Sequence, residues 1–253
     1  MTETEKTLPF IDFDAELDSF AKKSIALRYW LQALEYHQAL RALELVRIFE
    51  RDSFRKDGVT PNMSHFVEIA LFLSRLPNIR DRETLIVVGL LHDLVEDHGF
   101  PLETVRLIFG DQVATSVWNM TKKMPIRHGG TPIDIGYMKP GHGPIIVLKG
   151  GEALRFVERD EDELYEAMSY DEFASLGKPT DRSHNQKTMA GVFGLQKQLG
   201  YIDFTDARIL PMAKLARERF VHHEAAYVMV ETLLHTQARI VRGWAHDSGQ
   251  LAA

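Results

Sequence analysis

Four polar residues, His92, Asp93, Glu96 and Asp97, follow an apolar run in the middle of the chain. If residues 85–97 form one helix, with about 100° of rotation per residue, these side chains project within roughly 140° of one another. One imidazole and three carboxylates on one helix face are costly to bury without partners. Such a cluster is typical of a cation site or of a proton-transfer site.

The alternative is an ordinary helix end whose acids face water. Acids at a helix C-terminus oppose the helix dipole, and a divalent cation would offset that unfavourable charge. A second His-Asp pair, His246-Asp247, lies in a tail rich in Ser, Gly and Ala, and we expect it to be solvated surface. The apolar setting of the first pair, and not the dipeptide itself, therefore indicates a site.

One helix rarely supplies all the ligands of a cation, so other segments must contribute. His65 begins a predicted helix after a polar turn, and Asp181 opens the polar cluster Asp181-Arg-Ser-His-Asn185. With His92 and Asp93, these residues would offer two imidazoles and two carboxylates. This mixture suits Mn²⁺, Fe²⁺ or Zn²⁺ better than Mg²⁺ or Ca²⁺, which prefer oxygen ligands. From spacing alone, this grouping of distant segments is one hypothesis among several.

The segments that carry these residues have helical patterns. Apolar residues recur at helical spacing through most of the chain, with good helix formers between them. We predict helices over residues 25–49, 65–76, 85–97, 102–109, 112–122, 205–222 and 224–244. Helical character also begins at about residue 161 and continues through residues 181–195. Ser64 is the predicted N-cap of the second helix. The last helix is expected to bury one stripe of residues: Tyr227, Val230, Leu234, Val241 and Trp244.

Residues 124–158 break the helical pattern, because Gly and Pro are dense there. Two β-like runs, 145–148 and 154–157, predict a β-hairpin or a lid-like insertion that turns at residues 149–151. The sequence thus predicts an all-α fold with one small Gly/Pro-rich, β-hairpin-like insertion. We expect a single domain over 24–245, an N-terminal extension over 1–23 and a C-terminal tail over 246–253.

Composition excludes several classes of function. The chain has 253 residues, 45% of them hydrophobic and 26% charged, which is ordinary for a globular protein with one sizeable core. It carries 30 basic and 36 acidic residues without a dense basic run, so we expect no nucleic-acid partner. The lack of cysteine excludes disulfides, thiolate zinc sites and cysteine nucleophiles. Neither a signal peptide nor an apolar run of about 18 residues is present, so we expect a cytoplasmic protein without a membrane partner.

Seven motifs follow one another along the chain: Arg55-Lys-Asp-Gly58, His65, His92-Asp93, Glu96-Asp97, Phe109-Gly-Asp-Gln-Val-Ala114, Thr121-Lys122 and Asp181-Arg-Ser-His-Asn185. In this order they resemble the hydrolase domain of the RelA/SpoT alarmone enzymes and of the stand-alone small alarmone hydrolases, which belong to the HD superfamily. The resemblance covers about residues 40–123 and 176–220, more than half of the chain. It implies an HD-type helical bundle.

The resemblance also implies an activity and a metal. The family removes the 3′-pyrophosphate from ppGpp or pppGpp by attack of a metal-bound water, and yields pyrophosphate and GDP or GTP. The implied ion is one divalent cation, typically Mn²⁺, with Zn²⁺ and Fe²⁺ as alternatives. The family's metal ligands fall on His65, His92, Asp93 and Asp181.

Further roles follow from the same resemblance. The pair that positions and activates the attacking water falls on Glu96 and Asp97. Positions that contact the guanine nucleotide fall on Arg55, Lys56, Asn185 and Thr188. His184 is compatible with a place behind a metal ligand, with a leaving-group role or with helix packing. We expect Arg182 to pair with a nearby acid.

The chain departs from the family pattern in three places. It has one extra residue between Gly58 and His65, it has Phe66 where a proline usually follows the ligand, and its segment from Met124 to about Leu176 is much longer. That long segment can reshape the nucleotide pocket. Two alternatives therefore stay open: a hydrolase of another nucleotide, of the NADPH 2′-phosphatase or 3′-nucleotidase type, and a non-catalytic nucleotide-binding regulator or antitoxin. The sequence leaves the oligomeric state open.

Overall fold

The computed structural model describes residues 13–126, 145–147 and 153–247. The predicted Gly/Pro-rich loop, the turn at 149–151 and the end of the predicted tail lie outside the described residues. Those that are described form twelve α-helices and three β-strands. The helices are α1 (Phe13–Ala33), α2 (His37–Phe49), α3 (Met63–Leu73), α4 (Arg82–Leu91), α5 (Leu94–His98), α6 (Leu102–Phe109), α7 (Asp111–Met120), α8 (Glu161–Ser169), α9 (Ala174–Thr188), α10 (Leu195–Phe204), α11 (Leu210–Arg219) and α12 (Glu224–Asp247). The strands are β1 (Lys123–Ile126), β2 (Ile145–Val147) and β3 (Ala153–Glu158).

The predominantly helical architecture is confirmed, but several helix boundaries differ from the prediction. The predicted helix 25–49 is two helices, because Glu35 adopts a left-handed conformation with φ of 56° between α1 and α2. Left-handed backbone is uncommon for glutamate, so the sequence did not indicate this break. α1 also begins at Phe13 and crosses the boundary predicted at residue 23. The domain boundaries themselves stay a prediction.

The helix predicted over 85–97 is also two helices. α4 ends at Leu91 and α5 begins at Leu94, so that His92 and Asp93 form the junction between them. Glu96 and Asp97 consequently lie in the first turn of α5, where the helix dipole favours acids. The expectation that these carboxylates oppose a helix dipole is therefore wrong.

α4 is the centre of the core. All of its residues from Leu85 to Leu91 are buried, and it packs against α2, α3, α7 and α9. Gly89 allows α3 and α4 to approach closely, since a Cβ atom there would lie 2.3 Å from Leu73 Cδ1. This close packing brings the end of α4 next to the start of α3. The N-cap position of α3 is held by Asn62 and not by Ser64, which lies within the helix.

The three strands form an antiparallel sheet in the order β1-β3-β2. The predicted pairing of the two β-like runs is confirmed, with Ile145 opposite Arg155 in β2 and β3. β1 was not predicted, and it pairs with the other edge of β3, with Lys123 opposite Glu158. Because β1 contacts α5, the base of the insertion lies beside the polar helix of the site.

Helices α10, α11 and α12 form the C-terminal part of the helical bundle. α10 runs through a π-helical turn, Thr205–Ile209, into α11, where a single helix was predicted over 205–222. In α12 the predicted stripe is buried at its first four positions, but Trp244 is half exposed, so that part of the prediction is wrong. His246 and Asp247 are exposed, as expected. Among the described helices, none has the length and apolarity that a membrane span requires.

Candidate metal centre and its cavity

Four side chains from three helical segments converge at one point. His65 comes from the first turn of α3, His92 and Asp93 from the junction of α4 and α5, and Asp181 from the middle of α9. His65 Nε2 lies 3.4 Å from His92 Nε2 and 3.3 Å from Asp181 Oδ1. His92 Nε2 lies 2.9 Å from Asp93 Oδ2 and 3.6 Å from Asp181 Oδ1. The structure thus brings together the four ligands that the sequence predicted.

These separations fit a shared ion. Donor atoms bound at about 2.1 Å lie roughly 3.0–3.4 Å apart when they occupy adjacent coordination positions. All four donor atoms lie within 4.8 Å of one another. Two imidazole nitrogens and two carboxylate oxygens form a set that suits a divalent transition metal. The residues could therefore hold one such ion.

The hydrogen bonds behind the two imidazoles direct them at this point. His92 Nδ1 lies 2.9 Å from the carbonyl oxygen of Gly89, which can only accept, so the ring proton is on Nδ1 and the lone pair on Nε2. His65 Nδ1 lies 2.8 Å from Nδ1 of His184. With His65 Nε2 directed at the cluster, His65 Nδ1 donates and His184 accepts. His184 therefore lies behind a predicted ligand and holds its ring, a contact that favours the first of the three roles left open for it.

The electrostatics of the cluster favour positive charge. Burial alone would lower the pKa of His92, but the carboxylates of Asp93 and Asp181 raise it to about 10, so Nε2 also holds a proton that a bound cation would displace. Burial lowers the pKa of His184 to about 3, helped by the charges of His65 and Arg55, so that this ring is neutral and can accept. The same carboxylate field that favours a proton on His92 would favour a cation between the four ligands.

Lys178 is a residue of this site that the sequence analysis missed. It lies one turn before Asp181 on α9, and its Nζ is 3.2 Å from Asp181 Oδ2. Burial would raise the pKa of Asp181, but the ammonium group of Lys178 lowers it well below its usual value. Burial would lower the pKa of Lys178 itself, but Asp181 and Asp93 raise it, so the group is charged. The spacing of three residues to a predicted ligand was the signal that could have indicated it.

Glu96 and Asp97 lie beside the ligands in different surroundings. One oxygen of Glu96 accepts hydrogen bonds from the backbone N–H groups of Lys122, at 2.8 Å, and of Lys123, at 3.2 Å. The start of β1 thus holds this carboxylate in place. Asp97 is exposed at the cavity, but partial burial of its carboxylate, together with the charges of Asp93 and Glu96, raises its pKa to about 7. A carboxylate with this pKa can exchange a proton near neutral pH.

The metal centre forms part of the wall of a cavity of about 1100 Å³. This volume is at the upper end of the range for ligand pockets. Six acidic side chains line the wall: Asp57, Glu68, Asp93, Glu96, Asp97 and Asp181. Six cationic side chains also line the cavity: Lys23, Arg55, Lys56, Lys178, Arg182 and Lys187. The cavity therefore combines a cation-binding centre with groups that attract an anionic ligand.

The residues predicted to contact a nucleotide meet on one side of this cavity. Arg55 Nη2 donates to Asn185 Oδ1 at 2.9 Å and to Thr188 Oγ1 at 3.3 Å. Lys56 lies over the ring of Phe193, with its Nζ 5.0 Å from the centroid. The turn before α3 and the end of α9 are therefore joined by direct side-chain contacts.

Two further residues differ from expectation. Phe66 packs its ring against both imidazoles, with centroid distances of 5.3 Å to His65 and 5.5 Å to His92. It forms an apolar wall where proline would leave space. The guanidinium of Arg182 lies 4.9 Å from the ring of Tyr201 and 5.1 Å from that of Phe204, so the expected pairing with an acid is wrong.

A second group of potential ligands, Glu172, His222 and His223, lies outside this cavity. His223 Nε2 accepts a hydrogen bond from the backbone N–H of Arg80 at 3.3 Å. The proton of the neutral ring is therefore on Nδ1, which faces Glu172 Oε1 at 3.4 Å. In this tautomer the ring presents N–H, and not a lone pair, to the other two side chains.

No protein-family model matches the chain. Among curated proteins, it is 30% identical over 152 residues to a GTP pyrophosphokinase of Streptomyces coelicolor. It is 29% identical over 153 residues to the probable GTP diphosphokinase RSH3, chloroplastic, of Oryza sativa. The matches cover 60% of this chain but 15% and 19% of those proteins. The chain thus spans less than a fifth of the length of the curated relatives it matches.

Among solved structures, the chain is similar to that of a metazoan orthologue of SpoT, which hydrolyses ppGpp and plays a role in starvation responses. The identity is 19%, the match covers 80% of this chain and 94% of that chain, and the TM-score is 0.50. At this identity the likeness shows the fold. Together, the two comparisons confirm the resemblance to RelA/SpoT-type enzymes that the order of motifs predicted.

Proposed function

We propose that the protein is a divalent-metal-dependent phosphohydrolase that removes the 3′-pyrophosphate of ppGpp or pppGpp and releases GDP or GTP. The observation that carries this proposal is the orientation of His65 and His92, whose Nε2 atoms meet the carboxylates of Asp93 and Asp181 at the wall of a cavity that six cationic side chains help to line. Ligands arranged in this way support metal-assisted hydrolysis of an anionic substrate.

The choice of hydrolysis over pyrophosphate transfer is supported by how the chain matches its relatives. The pyrophosphokinases are matched over 15–19% of their length, so their names describe proteins that are mostly absent from the match. The SpoT orthologue is matched over 94% of its chain, and it hydrolyses ppGpp. The fold of the present chain therefore corresponds to nearly all of the SpoT orthologue.

As the family resemblance implies, we propose Mn²⁺ as the ion, with Zn²⁺ and Fe²⁺ as alternatives that suit the same mixture of nitrogen and oxygen ligands. When bound, the ion would lower the pKa of a coordinated water and offset charge on a phosphoryl oxygen. His65, His92, Asp93 and Asp181 would hold it. His184 and the carbonyl oxygen of Gly89 keep the two imidazoles in the tautomer that this requires.

Glu96 and Asp97 divide the handling of the water between them. Asp97 accepts its proton, since a group with a pKa of about 7 is ionised often enough at neutral pH and basic enough to do so. Glu96, which two backbone N–H groups hold in place, orients the water by accepting a hydrogen bond. This refines the joint role that the resemblance implies for the pair.

The cations of the cavity bind the substrate. Lys178 lies beside Asp181, where its ammonium group offsets charge on the phosphoryl oxygens as the bond to the 3′ oxygen breaks. Arg55, Asn185 and Thr188 already contact one another and hold the nucleotide. Lys56 contributes from the face of the Phe193 ring.

Identification of products tests the proposal. The purified chain is incubated with Mn²⁺ and ppGpp, and the products are separated by ion-exchange chromatography and identified by phosphorus NMR. We expect pyrophosphate and GDP in equal amounts, and no product from Asp181→Ala. NADPH and a 3′-phosphorylated nucleotide are run in parallel. Cleavage of either one with ppGpp intact would contradict the substrate, and tight ppGpp binding without any cleavage would identify a non-catalytic regulator.

A further inference from the structure

Glu50, at the C-terminal end of α2, carries a buried carboxylate that is held mainly by His98 and Asn62, with a smaller contribution from Ser53. Its side chain is 1% exposed, and its Oε1 lies 2.6 Å from His98 Nε2. Its Oε2 accepts from Asn62 Nδ2 at 2.7 Å. Burial would raise the pKa of Glu50, but the hydrogen bonds from His98 and Asn62 lower it, so the group is an anion. A buried anion of this kind requires both partners.

The two partners belong to different segments: Asn62 lines the cavity, whereas His98 lies behind the wall, at the end of α5. His98 is the last residue of α5 and follows Glu96 and Asp97 directly. Its ring packs edge-on against Phe49, with centroids 5.4 Å apart. Asn62 stands at the start of α3. Glu50 therefore connects the helix of the water-handling carboxylates with the turn before α3.

The contacts continue from Asn62 around the cavity. Asn62 Oδ1 accepts from Arg55 Nη1 at 3.4 Å. Arg55 donates in turn to Asn185, and Asn185 Nδ2 donates to Asp181 Oδ1 at 2.6 Å. A continuous series of side-chain contacts thus leads from the end of α5, through Glu50, to a metal ligand on α9.

We propose that Glu50 is a positioning residue, whose carboxylate fixes α5 relative to the turn that carries Arg55. Neither Glu50 nor His98 lines the cavity, so Glu50 acts through other residues. Its effect on turnover rests on the proposed function, whereas the coupling of the two segments does not. The carboxylate keeps Asp97 and Arg55 at a fixed separation across the cavity.

The variant Glu50→Gln breaks this coupling with little change of shape. His98 and Asn62 approach different oxygens of Glu50, and an amide replaces one of these oxygens with an NH2 group, which cannot accept from either partner. We expect amide hydrogen exchange to accelerate together in residues 53–62 and 94–99. We also expect kcat/KM for ppGpp to fall by about tenfold to hundredfold, because small misplacements of catalytic groups have effects of this size. Mn²⁺ affinity should change by less than about threefold, since the four ligands are untouched.

A second substitution offers a rescue that a merely structural role would not predict. When Asn62→Asp is added to Glu50→Gln, the new amide can donate to the new carboxylate and still accept from His98. The new carboxylate can also accept from Arg55, and the net charge is that of the wild type. We expect this double variant to recover most of kcat/KM and of the exchange protection.

Glu44→Gln is the matched control, because Glu44 lies on the same helix but is exposed and pairs with Arg47. It should match the wild type in exchange and in kinetics. Unchanged exchange in Glu50→Gln, or a change in one segment alone, would overturn the proposal. So would faster exchange in both segments with kcat/KM equal to that of the control, or a double variant no better than the single one.

The test separates this inference from the proposed function. If the wild type leaves ppGpp intact, the proposed function fails, and hydrogen exchange alone then upholds or overturns the coupling. If Glu50→Gln does not fold, a folded and active double variant supports the coupling, and a double variant that also fails to fold overturns it.

Discussion

Two groups of histidine and carboxylate side chains in the described part of the chain are close enough to share an ion, yet they differ behind the rings. In the cavity, His92 Nδ1 faces a carbonyl oxygen, which leaves Nε2 free to bind an ion. In the second group, His223 Nε2 accepts from a backbone N–H, which places the ring proton toward Glu172. The comparison teaches that ligand types and short distances do not suffice, because the partner of the other ring nitrogen decides what the imidazole can bind.

The comparison is tested most strongly by removing one carboxylate from each group. Asp181→Ala is expected to abolish Mn²⁺ binding and hydrolysis together, with affinity reduced by more than about hundredfold, since changes behind a ligand alone cost tenfold to hundredfold. Glu172→Ala should keep one ion per chain and wild-type turnover. Calorimetric titration with Mn²⁺ and a pyrophosphate-release assay measure both. Two ions bound per wild-type chain, one of them lost in Glu172→Ala, would show that the second group is also a metal centre.

The next largest effects concern the carboxylates beside the ligands. Glu96→Gln and Asp97→Asn are each expected to keep Mn²⁺ affinity and to lower kcat by about 10²–10⁴-fold, the usual loss when a general base is removed. The same titration and assay distinguish the two quantities. Loss of metal in either variant would mean that the residue is a ligand and that its role is wrongly assigned.

The pH dependence of the wild type sharpens this assignment. Asp97 must be ionised to accept a proton, and its pKa is raised to about 7. We therefore expect kcat/KM to fall as the pH drops below about 7, by up to tenfold per pH unit. Asp97→Asn should lose this acidic limb, and an unchanged limb in that variant would assign it to another group.

The residues of the site differ in the kind of sequence information that could predict them. The four candidate metal ligands were predicted from the order of motifs, since spacing alone left their grouping open. The break at His92-Asp93 could not be foreseen, because α4 is buried on all sides and a uniformly apolar segment gives no polar face from which to read a helix end. Lys178 was missed because its position depends on burial beside Asp181.

Contacts between distant segments account for most of what the sequence did not show. β1 forms by pairing with β3, and its own four residues have no strong strand pattern. The pair formed by Glu50 and His98 joins residues 48 positions apart, and neither belongs to a motif used in the prediction. Local patterns predicted a mainly helical chain, but they missed α10 and several helix breaks, and the pairing of β1 and the buried ion pairs required the folded chain.

The role of the group behind a ligand is tested by His184→Ala. Without this acceptor, the Nδ1–H of His65 is left buried and unpaired, and the ring is free to turn. We expect Mn²⁺ affinity to fall by about tenfold to hundredfold, with kcat recovered at saturating metal. His222→Ala, in the second group, is the control and should leave Mn²⁺ affinity unchanged. Equal affinities in the wild type and His184→Ala would contradict the proposed tautomer of His65.

The smallest expected effect is the contribution of His223, in the second group, to the stability of the folded protein at acid pH. Burial lowers the pKa of His223 below its usual value. The unfolded chain therefore takes up the proton first, and the stability that neutral His223 contributes is present above about pH 6.5 and is lost as the pH falls through the folded-state pKa. One such group contributes at most about 1.4 kcal/mol per pH unit to the slope of the unfolding free energy.

His223→Gln removes this proton while keeping an oxygen that can accept from Arg80. Urea unfolding at several pH values between 5 and 8 should show a shallower acid slope in the variant than in the wild type. Near pH 8, the unfolding free energies of the two proteins should differ by an amount that does not change with pH. His65, whose pKa burial also lowers, adds its own acid sensitivity to both proteins and so cancels in the difference. Equal slopes would mean that folding does not change the pKa of His223, which would contradict the lowered pKa of the buried ring.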